Sequence, residues 1–185
     1  KLIWFHGSSV GEIVSAIPII RKYEKNRNIK KILITSNTLS SSKILKNMNF
    51  KKTIHQFYPI DPFFFSNKFL NYWQPSTAIF LESEIWPSMF RLIKRNKIPL
   101  ILLNARITQK TFNRWYKIKN FSNTIFNLID IAYPQNLETK IFLKSLDVKH
   151  IKSIGNLKFI DNDQHRYNKI DKNLFSQFKN HEIFI

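Results

Sequence analysis

Short apolar runs alternate along the chain with segments whose apolar residues recur at the spacing of a helix. The runs are rich in β-branched residues and hydrophobic throughout, which is typical of strands buried on both faces of a parallel sheet. This pattern predicts seven strands, at residues 2–6, 31–36, 54–58, 77–82, 99–104, 129–134 and 148–154. Strands that alternate with helices predict an α/β fold, a Rossmann-like parallel sheet with helices on both faces.

Residues that favour a helix start lie where this alternation needs them. Asn37 or Thr38 can cap the helix after the second strand, and Pro87 occupies a first helical turn after the fourth. These positions support the predicted order of strands and helices.

The length of 185 residues, 43% of them hydrophobic, is enough for one full core. The alternating pattern ends after Gly155, where residues 161–165 form a polar stretch typical of a linker. We therefore assign residues 1–158 to one Rossmann-like domain and residues 159–185 to a linker and the start of a further domain.

The strongly positive net charge indicates that the partners of the protein are anionic. The chain has 30 Lys and Arg residues against 12 acidic ones, a formal charge of +18, so its field attracts nucleic acid, anionic lipid headgroups or phosphorylated sugars. An overall bias towards Lys, Asn, Ile and Phe accounts for part of this excess. The absence of cysteine excludes thiol catalysis and disulfides, and no apolar run approaches the roughly 20 residues that cross a bilayer.

The first predicted loop carries the strongest candidate chemistry. Two of only three glycines, Gly7 and Gly11, lie in it, and both can let a ligand approach the backbone. Open α/β sheets bind ligands beyond the carboxyl ends of their strands, where a helix N-terminus offers free N–H groups. The spacing is not that of the dinucleotide fingerprint, so no nicotinamide or flavin cofactor is predicted.

Glu12 follows Gly11 in the first turn of the helix, where the helix dipole favours the ionised form that a general base requires. A carboxylate in this position can accept a proton from an attacking hydroxyl. The alternative interpretation is that Glu12 only complements the helix dipole.

A second group of polar residues follows the fourth and fifth predicted strands. Glu82 and Glu84 lie at an i, i+2 spacing, and one of them can reach the cleft; alternatively, one caps the helix at Pro87 and the other is solvated. Arg106 suits a carboxylate or phosphate group and can be oriented by Glu84. Asn104 can donate to a sugar hydroxyl or close its own turn.

The histidines show no spacing typical of metal ligands, so no metal site is predicted. His6, at the end of the first strand, is near enough to touch a ligand. We favour the interpretation that it is simply hydrogen-bonded there.

Three consecutive phenylalanines, Phe63 to Phe65, cannot all face a core. With Lys68 nearby, they can form a surface that holds acyl chains or contacts a bilayer, although most of the surrounding aromatic residues are expected in the core. Basic residues of the next helix form a solvated face or attract lipid headgroups. These are Arg91, Lys94, Arg95 and Lys97.

Four segments, in this order, match one family. They are H-x-x-S-V-G-E at residues 6–12, E-x-E-x-W-P at 82–87, N-A-R-I-T at 104–108 and G-x-L-K-F at 155–159. Together they resemble the transferases of 3-deoxy-D-manno-octulosonic acid (Kdo), over roughly residues 2 to 160. The family's last motif continues with Asp, where this chain has Ile160 followed by Asp161.

The resemblance implies the N-terminal, acceptor-binding half of a two-domain GT-B glycosyltransferase. Such an enzyme moves Kdo with inversion from CMP-Kdo to a lipid A precursor, lipid IVA, in lipopolysaccharide synthesis. It works at the cytoplasmic face of the inner membrane, held peripherally or by a segment absent from this chain, and needs no metal or cofactor. A fragment without the nucleotide-sugar-binding domain is expected to be inactive alone.

In this resemblance Glu12 is the general base. The residues expected to bind substrates are Ser9, Gly11, Glu82, Glu84, Asn104, Arg106 and Lys158. Two alternatives remain open: a basic nucleic-acid-binding domain, and another GT-B glycosyltransferase that uses a nucleotide-diphosphate sugar. No RNA-recognition, KH or helix-turn-helix pattern is present, so no specific nucleic acid partner is expected.

Overall fold

The computed structural model describes residues 1–59 and 63–157, and there six parallel strands form one sheet in the order β3-β2-β1-β4-β5-β6. The strands are β1 Leu2–His6, β2 Lys31–Ser36, β3 Thr53–Phe57, β4 Thr77–Leu81, β5 Leu100–Ala105 and β6 Ile131–Pro134. The helices are α1 Val10–Lys25, α2 Leu39–Lys46, α3 Phe63–Trp73, α4 Pro87–Arg95, α5 Gln109–Lys117, α6 Lys119–Phe126 and α7 Leu137–Ser145. The predicted Rossmann-like fold is confirmed.

The first six predicted strands all exist, with ends within two residues of the prediction. The seventh, at residues 148–154, is wrong. Only Ile151 pairs with the sheet, through an isolated bridge to Ala132 of β6. Exposed polar side chains at Lys149, His150 and Lys152 interrupt this segment, so it lacks the continuous apolar character of a buried strand.

The sheet has a buried core on each face, as the continuous apolar strands predicted. Within β1, Ile3 and Phe5 point to the face covered by α1 and α2, and Trp4 points to the face covered by α3, α4, α6 and α7. Phe5 and Trp4 are fully buried. Burial of each such side chain contributes about 1.5–3 kcal/mol to folding, so both helix layers are needed to keep the strands out of water.

Helix starts fix the direction of the chain beside the sheet. Ser9 caps α1, accepting the N–H of Glu12, and Thr38, not Asn37, caps α2, accepting the N–H of Ser41. Pro87 begins α4, as predicted. Within the residues described, no helix has the length and apolar character needed to cross a membrane.

Glu24, near the end of α1, joins that helix to the start of β3. Its carboxylate accepts the N–H groups of Lys51 and Lys52, each at 3.0 Å, and the hydroxyl of Thr53 at 2.6 Å. Burial raises the pKa of Glu24, but these hydrogen bonds outweigh it and hold the pKa below its ordinary value. The ionised carboxylate therefore stabilises the outer edge of the sheet.

We expect Glu24→Ala to lower the free energy of unfolding at pH 7 by about 1–3 kcal/mol, because it leaves three donors without their acceptor. Since the folded-state pKa is lowered, the difference from wild type should shrink as the pH falls below the ordinary value of 4.5. Urea unfolding at several pH values measures both effects. Glu138→Ala, which removes an exposed glutamate, is the control and should cost less than about 1 kcal/mol; equal losses in the two variants would contradict the assignment.

Candidate active site

The order of the strands brings two polar loops together. β1 and β4 are neighbours although about seventy residues separate them, and His6 lies opposite Phe80 in their register. In a doubly wound sheet this is the point where the direction of strand addition reverses, and ligands bind in the crevice that the diverging loops leave there. The loop that precedes Glu12 and the loop of Glu82 and Glu84 both border this crevice.

Glu84 is the junction of these loops. Its Oε2 atom accepts hydrogen bonds from the Ser8 hydroxyl at 2.7 Å, the Trp86 indole N–H at 2.8 Å and Nε2 of His6 at 3.2 Å. Burial raises the pKa of Glu84, but the hydrogen bonds from His6, Ser8 and Trp86 outweigh it and lower the pKa overall. Glu84 is therefore ionised, with one oxygen fully engaged and Oε1 open to a ligand.

Two sequence-based expectations for Glu84 are wrong. It is neither solvated nor a helix cap, since its side chain is only 14% exposed and α4 begins without a side-chain cap. It also does not orient Arg106, because its contacts go to His6, Ser8 and Trp86 instead. The loop between β4 and α4 directs the Glu84 side chain towards the end of β1, not towards β5.

Glu12 lies in the first turn of α1, as predicted, and its Oε2 atom accepts the backbone N–H of Ser8 at 2.7 Å. Burial raises the pKa of Glu12, and the negative charge of Glu84 raises it further, with a smaller contribution from Glu82. A carboxylate whose pKa lies above its ordinary value binds a proton more strongly when ionised. The surroundings of Glu12 thus suit a general base better than a residue that only complements the helix dipole.

Glu82 and Asn104 lie at the ends of the neighbouring strands β4 and β5 and have similar backbone conformations. Both side chains are buried, and both backbones lie in the left-handed region, with φ of 49° and 53°. The Glu82 N–H donates to the Leu103 carbonyl at 3.0 Å, and the Arg106 N–H donates to the Glu82 carbonyl at 3.2 Å. Such backbone costs about 1–3 kcal/mol per residue, so the surrounding sheet has to hold it in place.

Asn104 links the sheet to the segment beyond the sixth strand. Its Oδ1 atom accepts the N–H of Leu157 at 3.1 Å, while its buried amide nitrogen has no hydrogen-bond partner in the described part of the chain. The alternative that Asn104 only closes its own turn does not account for the contact with Leu157 or for the unpaired amide nitrogen. A contact of its amide nitrogen with a sugar hydroxyl stays a prediction.

Arg106 is exposed and lines a separate pocket of about 370 Å³ at the ends of β5 and β6. The N-termini of α5 and α7, capped by Thr108 and Asn136, border the same pocket. An arginine beside two helix N-termini favours an anionic group, although Glu138 at the rim opposes it. Lys158, also predicted to bind substrate, lies outside the described residues.

His6 and Ser8 are the residues whose importance sequence reasoning missed. His6 is fully buried and hydrogen-bonded, as favoured, but its partners are Thr35 on one side and Glu84 on the other. Ser8 contacts both Glu84 and Glu12. Their places within the 6–12 motif were the available signal. In residues 1–59 and 63–157, no three His, Cys, Asp or Glu side chains are grouped to hold a metal ion.

Comparisons with known proteins identify one family to which this chain is similar. Residues 1–161 match the family described as 3-deoxy-D-manno-octulosonic-acid transferase (kdotransferase). The chain is 39% identical over 162 residues to the 3-deoxy-D-manno-octulosonic acid transferase of Rickettsia felis, covering 86% of this chain and 34% of that protein. It is 28% identical over 172 residues to the enzyme of the same name from Haemophilus influenzae, covering 91% of this chain and 40% of that protein.

The chain thus spans roughly a third of the length of the curated Rickettsia relatives it matches. Among solved structures, it is similar to UDP-GlcNAc 2-epimerase from Neisseria meningitidis bound to UDP-GlcNAc. The TM-score is 0.64 at 13% identity, and the match covers 96% of this chain and 54% of that one. At that identity the similarity supports the fold alone.

The two glycines of the first loop should respond differently to alanine. A Cβ atom at Gly7 would lie 3.0 Å from Leu81 Cδ1 and 3.1 Å from Glu12 Cβ, whereas a Cβ atom at Gly11 meets nothing within 4 Å. We expect Gly7→Ala to destabilise the fold by about 1–3 kcal/mol. Gly11→Ala should leave it unchanged or stabilise it by about 0.5–1 kcal/mol, because alanine favours a helix. Thermal unfolding of both variants tests this, and equal stabilities would show that the loop does not pack as described.

Proposed function

The chain belongs to the 3-deoxy-D-manno-octulosonic-acid transferase family, and from this we propose that it is the acceptor-binding domain of an enzyme that transfers Kdo from CMP-Kdo to a lipid A precursor such as lipid IVA. The observation that carries the proposal is the position of Glu12. Its carboxylate lies at the crevice between β1 and β4, held by Ser8 and beside the charge of Glu84.

In the proposed reaction Glu12 acts as the general base. It accepts the proton of an acceptor hydroxyl while that oxygen forms a bond to the anomeric carbon of Kdo. The bond from this carbon to the phosphate of CMP breaks at the same time, and CMP leaves with the electron pair. Attack from the face opposite the leaving group inverts the configuration. None of these steps requires a cofactor or a metal ion.

The remaining candidate residues have complementary roles in this proposal. The free Oε1 atom of Glu84 accepts a hydrogen bond from the acceptor sugar, and Gly11, with open space above its backbone, lets that sugar come close. Arg106 holds an anionic group, either a phosphate of the acceptor or the carboxylate of Kdo. CMP-Kdo requires a nucleotide-binding domain, which we propose follows residue 158 in the full-length protein.

An apolar groove next to this site suits the acyl chains of the acceptor. It has a volume of about 700 Å³ and is lined by aromatic residues of α3 together with Lys68 and Tyr58. Tyr58, which lines the groove, also contacts Trp86, a hydrogen-bond donor to Glu84, with the two tilted rings 4.8 Å apart between centroids. We propose that the sugar of a lipid acceptor lies at Glu12 while its chains lie along α3.

The outer side of α3 suits the membrane itself. The side chains of Phe63, Phe64 and Tyr72 are 56%, 69% and 78% exposed. A cluster of exposed aromatic side chains is unfavourable in water and is typical of an interaction surface. With the net charge of +18, this surface favours an anionic bilayer and hence the cytoplasmic face of the inner membrane. The nucleic-acid alternative is less well supported, because three carboxylates surround the crevice where a phosphate backbone would have to lie.

Glu12→Gln removes the base but keeps its shape. We expect kcat for Kdo transfer by the full-length protein that carries this chain to fall by about 100- to 10,000-fold, with little change in the KM for the acceptor. The assay supplies CMP-Kdo and a tetraacylated lipid A precursor. Asp147→Asn, at an exposed carboxylate far from the crevice in sequence, is the control and should retain activity.

The same assay gives the pH dependence. Because only ionised Glu12 can accept a proton, kcat/KM should rise with pH through the raised pKa of Glu12. Glu84→Gln removes a negative charge that raises this pKa, so the acidic limb should move to lower pH. A transfer-competent Glu12→Gln variant would show that another group is the base.

Phe64→Ser tests the membrane surface without touching the core. We expect binding to phosphatidylglycerol-containing vesicles to weaken by about five- to tenfold, since roughly 1 kcal/mol or more of apolar burial is lost. Vesicle sedimentation measures this for the full-length protein. Ile141→Ser, which changes a 55% exposed residue of α7, is the control and should bind as wild type does. Equal binding by both variants would place the membrane contact elsewhere.

A further inference from the structure

A continuous row of hydrogen bonds runs from the core to the Glu84 junction. The Trp4 indole N–H donates to the Thr35 hydroxyl oxygen at 2.9 Å, and this oxygen lies 3.0 Å from Nδ1 of His6. On the other side of the ring, Nε2 of His6 lies 3.2 Å from Oε2 of Glu84. Trp4, Thr35 and His6 are all fully buried, so these contacts are shielded from solvent.

The direction of this row follows from the charge at its end. Burial lowers the pKa of His6 despite the opposing effect of Glu84, so the ring is neutral and carries one N–H. A carboxylate accepts only, so the single N–H is best placed on Nε2, facing Glu84. Nδ1 can then accept the Thr35 hydroxyl, which the Trp4 N–H leaves free to donate, although the Thr35 carbonyl, another acceptor, also lies 3.3 Å from Nδ1. The other tautomer would turn a nitrogen lone pair towards the negative charge of Glu84.

This arrangement ties three elements to one oxygen atom. His6 is the last residue of β1, Ser8 lies in the loop that follows, and Trp86 precedes α4, and all three donate to Oε2 of Glu84. Ser8 also donates its backbone N–H to Glu12. Ser8 thus joins Glu12 to Glu84, with a further hydrogen bond from Asn37 at 2.9 Å, and the N–H of His6 helps to hold Glu84.

We infer that His6 is a positioning residue for Kdo transfer: its Nε2–H, oriented by Thr35, holds Glu84, and Glu84 in turn holds the Ser8 segment that fixes the base Glu12. This inference rests on the proposed function. It assigns His6 a role without contact to substrate, because the ring is fully buried beneath the junction. The centroid of the His6 ring also lies 4.0 Å from that of Tyr58 and 5.1 Å from that of Phe80. The packing of the ring and the hydrogen bond of its N–H are therefore separate contributions, which different substitutions can test.

Three variants make this separation. His6→Phe keeps an aromatic ring but removes the N–H, while the Thr35 hydroxyl can still donate to the Phe5 carbonyl, 3.4 Å away. His6→Gln replaces the imidazole by an amide that can donate to Glu84. His55→Phe is the matched control, because His55 also pairs with a hydroxyl on a neighbouring strand, that of Ser36 at 2.8 Å, but lies on β3 away from the crevice.

In the transfer assay with the full-length protein, we expect His6→Phe to lower kcat by about 100-fold at nearly constant acceptor KM, as a slight misplacement of the base would. His6→Gln should recover most of this loss, and His55→Phe should match the wild type. Thermal unfolding of each variant separates lost positioning from lost stability. If His6→Phe remains as active as His55→Phe, or if His6→Gln fails to recover activity in a folded protein, the inference is overturned.

Nitrogen-15 shifts of the His6 ring provide a measurement that needs no substrate. We expect a neutral ring with its proton on Nε2 at pH 7, and in Glu84→Gln a change in the shift of that nitrogen. A ring without a proton on Nε2 would overturn the hydrogen bond to Glu84 on which the inference depends. A wild type that transfers no Kdo but shows the Nε2–H form would instead contradict the proposed function, so the two failures are distinguishable.

Discussion

The parallel arrangement of β1 and β4 is the constraint on which the rest of this structure depends. Strands buried on both faces cannot carry polar side chains along their length, so chemistry is confined to their ends. Because β1 and β4 are far apart in sequence but adjacent in the sheet, their loops diverge to opposite faces and leave a crevice. Glu12 and Glu84 come from these two loops, and neither loop alone would place one carboxylate beside the other.

Two like charges held close together require compensation, and the two carboxylates receive it unequally. Oε2 of Glu84 has three donors, including the indole N–H of Trp86, and its pKa is lowered. Glu12 has the backbone N–H of Ser8 and is affected mainly by burial and by the charge of Glu84, so its pKa is raised. One carboxylate is thus a fixed charge and the other a proton acceptor, a division set by the number of donors.

The sequence was sufficient for most of the fold, because long apolar runs and helix-start residues are local signals. It predicted a seventh strand wrongly, since Val148 and Ile151 look like part of an apolar run but lie among exposed lysines. At the site, it selected Glu12 and Glu84 but not the partners of Glu84. Those depend on the distance between loops nearly eighty residues apart, which no spacing along the chain encodes.

The charge distribution makes the crevice at Glu12 more favourable for a neutral hydroxyl than for a phosphate group. The protein as a whole carries +18 and attracts polyanions, yet three of its twelve acidic residues border the crevice itself. A phosphate group that approaches is therefore drawn to the protein but repelled from the immediate neighbourhood of Glu12, and Arg106 in its separate pocket is a more favourable place for it. A neutral hydroxyl faces no such repulsion. Under the proposed function, this field orients a phosphorylated sugar with its hydroxyl at Glu12 and its anionic group away from it.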